Sequence, residues 1–433
     1  MNLVNTDSKK KVRVCVIGSG AAGLCALRHL SSDLDYFEPE AFEQTGNIGG
    51  IWIYTEKIGL DENGFPIHTS MYRDLRSNAP CELMNFPDFR TMKGNKGSGV
   101  HREILLSYLR DYANHFQILH FIKFFKKIEE VRAEIIQSGD KNITIWHVKI
   151  KDLNTMEIVC KEYDAIMVCT GNYSRPNIPI VSGIENFPGQ ILHSHTYRKP
   201  EEFIGKNILI FGSAFSATDI GVELSTYANV IYMSNRGERI TSKLPPSIIQ
   251  VPNIKCVEGN KIYFIDGSSV IVDVFMYCTG YLMEFPFLDK SCAISVDDNF
   301  VYPLYKHTIN INQPTMCFLG INSYVITFPM FHVKALFFLY MLKKRFKLPS
   351  KEIMLEDAKL KGNKKRHAHR LFLSQYDLFD SLAHEAGFQP IPHIFRKALD
   401  LWTIVREDDL WHYKDYKIII NNDDSDAEIV YSP

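Results

Sequence analysis

None of the nine cysteines, at 15, 25, 81, 160, 169, 256, 278, 292 and 317, stands in a C-x-x-C or C-x4-C spacing. That argues against a dithiol–disulfide reductase. Metal-ligand spacing is also missing: His101, His115 and His120 are scattered through an apolar, helix-like stretch and read as core or surface. Charge of one sign is not in excess, since the net charge is −1. The basic runs, Lys9–Lys11 and Lys361–Arg370, lack interleaved aromatics, so nucleic acid is not an expected partner and the second run reads as a solvated face or loop. No long apolar run occurs. Ser323–Leu342 comes nearest, but Pro329, His332 and Lys334 interrupt it, which makes it a core helix rather than a membrane span. The start, Met1 to Lys11, is polar and shows no signal peptide; the end, Asn421 to Glu428, is acidic and shows no anchor. The expectation is a soluble cytoplasmic protein, or a secreted one if the chain is a processed form. The sequons Asn142-Ile143-Thr144 and Asn172-Tyr173-Ser174 keep secretion in view.

What the chain does have is two glycine-rich turns, each after a strand-like run. Val12-Arg13-Val14-Cys15-Val16-Ile17 is short, β-branched and mostly apolar, as a buried parallel strand is. It runs into Gly18-Ser19-Gly20-Ala21-Ala22-Gly23. In such a fingerprint Gly18 permits the tight turn, Gly20 lets backbone approach a pyrophosphate, and Gly23 lets the next helix pack on the strand. A helix from about Ala21 to Leu30 would aim its amides at the phosphates. The ribose partner is expected about 20 residues on; Glu43, 25 residues after Gly18, fits. A carboxylate there accepts ribose hydroxyls and repels a 2′-phosphate, so the first site prefers FAD or NAD to NADP.

The second turn, Gly212-Ser213-Ala214-Phe215-Ser216-Ala217, follows Asn207-Ile208-Leu209-Ile210-Phe211. Ala214 replaces the second glycine, and Ala217 the third, where alanine is allowed. The methyl of Ala214 holds a pyrophosphate slightly off the backbone, which suits a mobile cofactor. Asp219 is expected to open a helix running to Ser225. The next strand, Val230 to Met233, leads into Ser234-Asn235-Arg236-Gly237-Glu238-Arg239. No acid stands where a ribose would be read. A guanidinium beside a hydroxyl suits a 2′-phosphate, each charge-assisted bond being worth about 1.5–3 kcal/mol. The second site therefore reads as NADPH.

Between the two turns, Phe187-Pro188-Gly189-Gln190-Ile191-Leu192-His193-Ser194-His195-Thr196-Tyr197 matches F-x-G-x-x-x-H-x-x-x-Y. It resembles the identifying signature of the flavin-containing monooxygenases. Gly46-Asn47-Ile48-Gly49-Gly50-Ile51-Trp52 resembles that family's flavin-contacting loop. Met71-Tyr72-Arg73 through Ser77-Asn78, then Phe86-Pro87-Asp88-Phe89, resembles its active-site stretch. Cys169-Thr170-Gly171, and Asp273 to Cys278-Thr279-Gly280-Tyr281, resemble its two domain crossings. The likeness runs from about residue 12 to 285, with motifs in the right order, and is weak beyond about 345. The Ala21-Ala22 pair and Leu24 to Leu30 are similar to insect members, including those that N-oxygenate pyrrolizidine alkaloids.

The resemblance implies that Glu43, Gln44, Gly50, Ile51 and Trp52 contact FAD and that Asn78, after Ser77, lies beside the reactive face of the flavin. It implies that Gly212, Ser216, Ala217, Asp219, Ser234 and Arg236 serve NADPH. Phe215 departs from the Asn or Tyr of other members and reshapes the nicotinamide end. His193 and Tyr197 shape the linker between domains, and His195 reads as a satisfied loop histidine. The implied cycle passes hydride from NADPH to FAD, forms a C4a-hydroperoxyflavin with O2, and transfers one oxygen to a soft nucleophile, an amine or sulfide. The rivals are a Baeyer–Villiger monooxygenase, an NADPH oxidase releasing H2O2, and a non-catalytic nucleotide binder. The fold class is α/β with two Rossmann-like domains. Residues 1–172 and 281–433 form the FAD domain, and 173–280 are inserted as the NADPH domain after a Pro- and Gly-punctuated linker. Residues 346–433 read as helices and loops (Gln375 to Glu385, His393 to Leu401) that close the flavin domain or make a homo-oligomer contact.

Overall fold

The computed structural model describes residues 10–432 apart from 95, 140, 361 and 363. Most of the polar start, Lys9 included, and Lys361 and Asn363 of the second basic run lie outside the described residues. Seven helices order the described chain: α1 (Ala21–Ser31), α2 (Arg102–His115), α3 (Phe215–Leu224), α4 (Thr327–Leu342), α5 (Lys351–Asp357), α6 (Ser374–Ala386) and α7 (Ile394–Asp408). The chain divides into two compact units. One comprises 1–50, 109–171 and 283–391; the other comprises 51–108, 172–282 and 392–433. The inserted segment thus shares its unit with 51–108 and 392–433, which the sequence reading grouped with the first domain.

The first unit is built on a seven-stranded sheet. Its order is Leu304–Tyr305, Ile309–Asn310, Met316–Phe318, Ala165–Val168, Val12–Ile17, Phe37–Phe42 and Ile122–Lys123. Val12–Ile17 lies inside and pairs in parallel with Phe37–Phe42 and Ala165–Val168. That position accounts for its near-continuous apolar sequence, since a parallel strand is covered on both faces. A three-stranded antiparallel meander, Lys126–Ser138, Lys141–Asp152 and Ile158–Tyr163, buries Trp146 and Val148 in the same core as Ile17, Ile166 and Phe318.

Helix α4 fills the interior of the first unit, with Phe328, Val333, Phe337 and Phe338 buried. Among the described residues no helix is long and apolar enough to cross a membrane. Lys334, at the middle of α4, is fully buried. Its ammonium donates to the His307 carbonyl at 2.7 Å and to the Asn322 side-chain oxygen. Burial still pushes its pKa down to about 7.

The second unit holds a five-stranded parallel sheet in the order Ile248–Val251, Val230–Ser234, Asn207–Phe211, Val274–Tyr277 and Gln190–His193. Its buried cluster takes in Ile208, Ile210, Ala217 and Ile231, together with Tyr72 and Tyr197. Two expectations are corrected here. Helix α3 begins at Phe215, not at Asp219. Ala214 is its extended N-cap, and the Thr218 N–H already bonds the Ala214 carbonyl at 3.0 Å. A small motif residue at the cap leaves nothing to delay the first turn, so Asp219 falls one turn into the helix. The C-terminal region is not helices and loops alone. Tyr416–Ile420 and Ala427–Tyr431 form an antiparallel hairpin, closed by the Asn421 N–H on the Asp426 carbonyl at 3.0 Å. Three consecutive isoleucines, Ile418 to Ile420, carry the β propensity that the acidic composition masked.

Candidate functional site

In the first unit the chain leaves Val12–Ile17 through Gly18, whose φ is +98°. The Gly18 N–H bonds the Phe42 carbonyl at 2.8 Å, and a Cβ here would lie 2.8 Å from the Cys169 carbonyl oxygen. Gly20 is the extended N-cap of α1, which has no side-chain cap and no acid in its first turn. Its forward amides are therefore available to an anion. Gly50, at φ +56°, faces Gly20, and a Cβ on it would sit 3.0 Å from the Gly20 Cα. A Cβ on Gly23 would sit 1.9 Å from the Gly18 carbonyl oxygen, which is the close helix–strand contact the fingerprint requires. This bare-backbone cradle with an uncapped helix behind it fits a dinucleotide pyrophosphate.

Glu43 is buried at the end of Phe37–Phe42. One carboxylate oxygen accepts from the Ser19 N–H and hydroxyl, both at 2.9 Å; the other accepts from the Thr45 N–H and hydroxyl, both at 2.9 Å. All four acceptor positions are engaged. Ala21 and Ala22 are buried in the first turn of α1; Gln44, Ile51 and Trp52 are half-buried. The boundary between the units runs through the Gly50–Trp52 turn.

The second unit repeats the backbone device. Gly212 has φ +135°, its N–H bonds the Ser234 carbonyl at 2.9 Å, and a Cβ would lie 2.3 Å from the Cys278 carbonyl oxygen. Helix α3 likewise has no side-chain cap and no first-turn acid. Ala214 is exposed, Ser216 half-buried and Ala217 fully buried. Arg236 is exposed beyond the sheet, its guanidinium carbon 5.6 Å from the centre of the Phe211 ring. Ser234 is fully buried and donates to the Pro252 carbonyl at 2.8 Å. Asp219 is committed elsewhere, to the Lys414 ammonium at 3.0 Å and the Tyr413 hydroxyl at 3.4 Å. Phe215 stacks under the Arg406 guanidinium at 4.5 Å.

Asn78 also belongs to the second unit and is exposed. Ser77 beside it is buried and clamped to Val100, its N–H on the Val100 carbonyl at 2.7 Å and its hydroxyl accepting the Val100 N–H at 3.0 Å. The Asn78 carbonyl accepts the Trp402 indole N–H at 3.0 Å. Downstream, the Tyr108 hydroxyl takes the Phe86 N–H at 2.7 Å and donates to the Phe89 carbonyl at 2.8 Å, ordering the Phe86–Phe89 segment.

Each defining position of the Phe187–Tyr197 motif has a structural task. Phe187 is buried, and a Cβ on Gly189 would meet both its ring and the Asp273 carbonyl oxygen. His193 bonds the Gly280 carbonyl through Nε2 at 3.0 Å, while Nδ1 accepts the His195 N–H at 3.0 Å. Those partners assign the neutral Nε2–H tautomer, and burial brings its pKa down to about 4. His195 bonds the Ile67 carbonyl at 3.0 Å. Tyr197 is buried and donates to Glu223 at 2.9 Å. Sequence reasoning missed Trp402, Tyr413 and Lys414, because no local pattern ties residues beyond 400 to a turn at 78 or a helix at 215.

A family model described as flavin-binding monooxygenase-like matches residues 9–245 and 241–388. The chain is 30% identical to senecionine N-oxygenase of Tyria jacobaeae over 431 residues, covering 95% of this chain and 90% of that protein. It is 34% identical over 415 residues to the flavin-containing monooxygenase FMO GS-OX-like 2 of Arabidopsis thaliana, covering 89% and 87% respectively. The solved structure of S-allyl-L-cysteine S-oxygenase from Allium sativum superposes with a TM-score of 0.84 at 32% identity, covering 94% of this chain and 95% of that one. With two α/β units, each holding a glycine turn followed by a helix without a side-chain cap, the chain belongs to the flavin-binding monooxygenase-like family and is a flavin-dependent monooxygenase that works with FAD and NADPH.

Proposed function

We propose that this enzyme oxygenates the nitrogen of a tertiary amine, an alkaloid of pyrrolizidine type included, and the sulfur of thioethers as a second class. The observation that carries the reading is Asn78: an exposed amide on a backbone clamped at Ser77 and again at its own carbonyl. The N-oxygenase and S-oxygenase among the relatives support both substrate classes.

In this reading the first unit is the FAD domain. Gly18, Gly20 and the Ala21–Gly23 amides take the pyrophosphate, with Gly50 facing Gly20; Gln44, Ile51 and Trp52 are further flavin contacts that the family resemblance implies. Glu43 accepts ribose hydroxyls by releasing the hydroxyl of Ser19 or Thr45, because its acceptor positions are already filled. The second unit is the NADPH domain, where Gly212 and Ser216 take the phosphates, Phe215 shapes the nicotinamide end, and the fully buried Ala217 lets α3 pack on its strand. Arg236 pairs with the 2′-phosphate, and Ser234 keeps the strand end in place beneath it. Asp219 serves from behind, anchoring α3.

When bound, FAD reduced by NADPH supplies the activation of O2. The chain's own residues bind, orient and exclude water. Asn78 offers two N–H donors and one carbonyl acceptor, enough to orient the nicotinamide ribose and the transferred oxygen. The lone pair of the substrate is the nucleophile, so no side-chain base is required and the amine reacts in its neutral form.

The test supplies the purified holoenzyme with NADPH and O2, and in parallel a pyrrolizidine alkaloid, a thioether and cyclohexanone. An N-oxide formed mole for mole with NADPH supports the reading. A lactone from cyclohexanone with no N-oxide would reassign the enzyme to Baeyer–Villiger chemistry. NADPH consumption recovered entirely as H2O2 would make it an oxidase.

A further inference from the structure

The last stretch of the second unit is packed for more than closing a domain. Trp402 on α7 is only 2% exposed, and its indole N–H reaches the Asn78 carbonyl at 3.0 Å. Its ring meets Tyr413 edge-on, with centroids 5.4 Å apart. Tyr413 and Lys414 then bond Asp219 of α3 at 3.4 and 3.0 Å, and Arg406, one turn beyond Trp402, covers Phe215 at the start of the same helix. The Lys414 ammonium also donates to the Arg76 carbonyl at 3.0 Å. Arg76 in turn reaches the Lys414 carbonyl and the Asp415 carboxylate, both at 2.6 Å. Gly97 and Gly99 complete the fit: a Cβ on either would strike Lys414 at 2.3 or 2.6 Å. One segment thus grips the turn that presents Asn78 and the helix that follows the second nucleotide turn.

We infer that Trp402 is a positioning residue for oxygen transfer: its indole N–H fixes the Asn78 carbonyl, and Tyr413 and Lys414 tie that bond to α3. The inference rests on the role proposed above for Asn78. Loss of the donor leaves the Asn78 carbonyl without its protein partner and loosens the amide that orients ribose and oxygen. Reduction by NADPH proceeds, but more of the reducing equivalents leave as H2O2.

The experiment uses the full-length holoenzyme and compares Asn78→Ala, Trp402→Phe, Trp402→Met and the Asn78→Ala/Trp402→Phe double variant. The readouts are the fraction of NADPH recovered as H2O2 with saturating amine, the KM for NADPH, flavin content and far-UV circular dichroism. Trp402→Phe keeps an aromatic ring and Trp402→Met keeps apolar volume, so the donor is what both lack. The expected result is a ratio of H2O2 to N-oxide raised roughly fivefold in either Trp402 variant, the scale of one lost hydrogen bond, with flavin content unchanged. Trp402→Phe adds nothing further in the Asn78→Ala background, because it acts through that residue. Coupling that stays at the wild-type value in a folded, flavin-replete Trp402 variant, while Asn78→Ala uncouples, overturns the inference. Equal additional uncoupling in both backgrounds also overturns it, since Trp402 would then act by general packing. Wild-type coupling in Asn78→Ala overturns the reading of Asn78 itself, and the inference with it.

Discussion

In the reading proposed above, Arg236 carries the cofactor preference: it is exposed on the loop after Val230–Ser234, and Ser234 beside it is buried on the Pro252 carbonyl. Arg236→Ala is expected to cut the preference for NADPH over NADH roughly 10- to 100-fold, the scale of one or two charge-assisted hydrogen bonds. Steady-state kcat/KM for the two cofactors checks this, and an unchanged ratio would move the 2′-phosphate contact elsewhere. Gly23 is the opposite kind of residue, needed for what it lacks. A methyl there meets the Gly18 carbonyl oxygen at 1.9 Å, so Gly23→Ala must displace α1 from its strand, at about 1–3 kcal/mol of overpacking. The expected outcome is protein purified with little flavin, read from the 450 nm absorbance per mole of chain. At this scale the sequence was largely legible: glycine spacing reports backbone approach directly. The engagement of Asp219 by Lys414 was not, because their meeting is set by packing across nearly 200 residues.

Among elements, the Phe187–Tyr197 segment carries the strand Gln190–His193, paired with Val274–Tyr277, and ties it to the following turn through His193 and the Gly280 carbonyl. The His193 bonds require a neutral ring, and its pKa is brought down to about 4 by burial. A histidine lowered on folding contributes stability present above its unfolded value near 6.5 and lost as pH falls toward 4. Glu223, the acceptor for Tyr197, behaves in the reverse sense. Burial raises its pKa from 4.5 to about 7, so its contribution is full below about 4.5 and is lost as pH rises through 7. Glu223→Gln keeps an acceptor for the Tyr197 hydroxyl and removes the charge. It is expected to melt at a higher temperature than wild type at pH 8 and at a similar one at pH 5. Thermal melts at the two pH values decide; a higher melting temperature at pH 5 alone would reverse the assignment. The elements themselves were read well where periodicity or apolar runs were strong, as at α1, α4 and the central strands of both sheets. The start of α3 and the C-terminal hairpin were misread because cap geometry and short strand pairing depend on neighbours distant in sequence.

For the whole molecule, a flavin cradle made of bare backbone has a thermodynamic consequence. In the reading proposed above, the turn at Gly18 and Gly20 leads into a helix without a side-chain cap, and the unfolded chain has no such turn, so ligand contacts add to the folded state alone. FAD at 100 times its Kd is expected to stabilise the chain by about 2.7 kcal/mol. Stripping the flavin should therefore lower the melting temperature, and adding FAD back should restore it in a concentration-dependent way. A melting curve indifferent to FAD would mean that the cradle does not hold it.

What the sequence determined by itself was chemistry carried by local spacing. The strand–glycine–helix turns and the F-x-G-x-x-x-H-x-x-x-Y run each lie within a few dozen residues, where backbone geometry leaves little choice. The tertiary structure decided which distant segments share a unit. Residues 51–108 and 392–433 join the segment 172–282 through the Trp402 bond to Asn78, the Tyr413 and Lys414 bonds to Asp219, and the pairing of Arg76 with Lys414. Buried donors and acceptors must find partners wherever the fold brings them, and no rule of sequence spacing encodes that meeting.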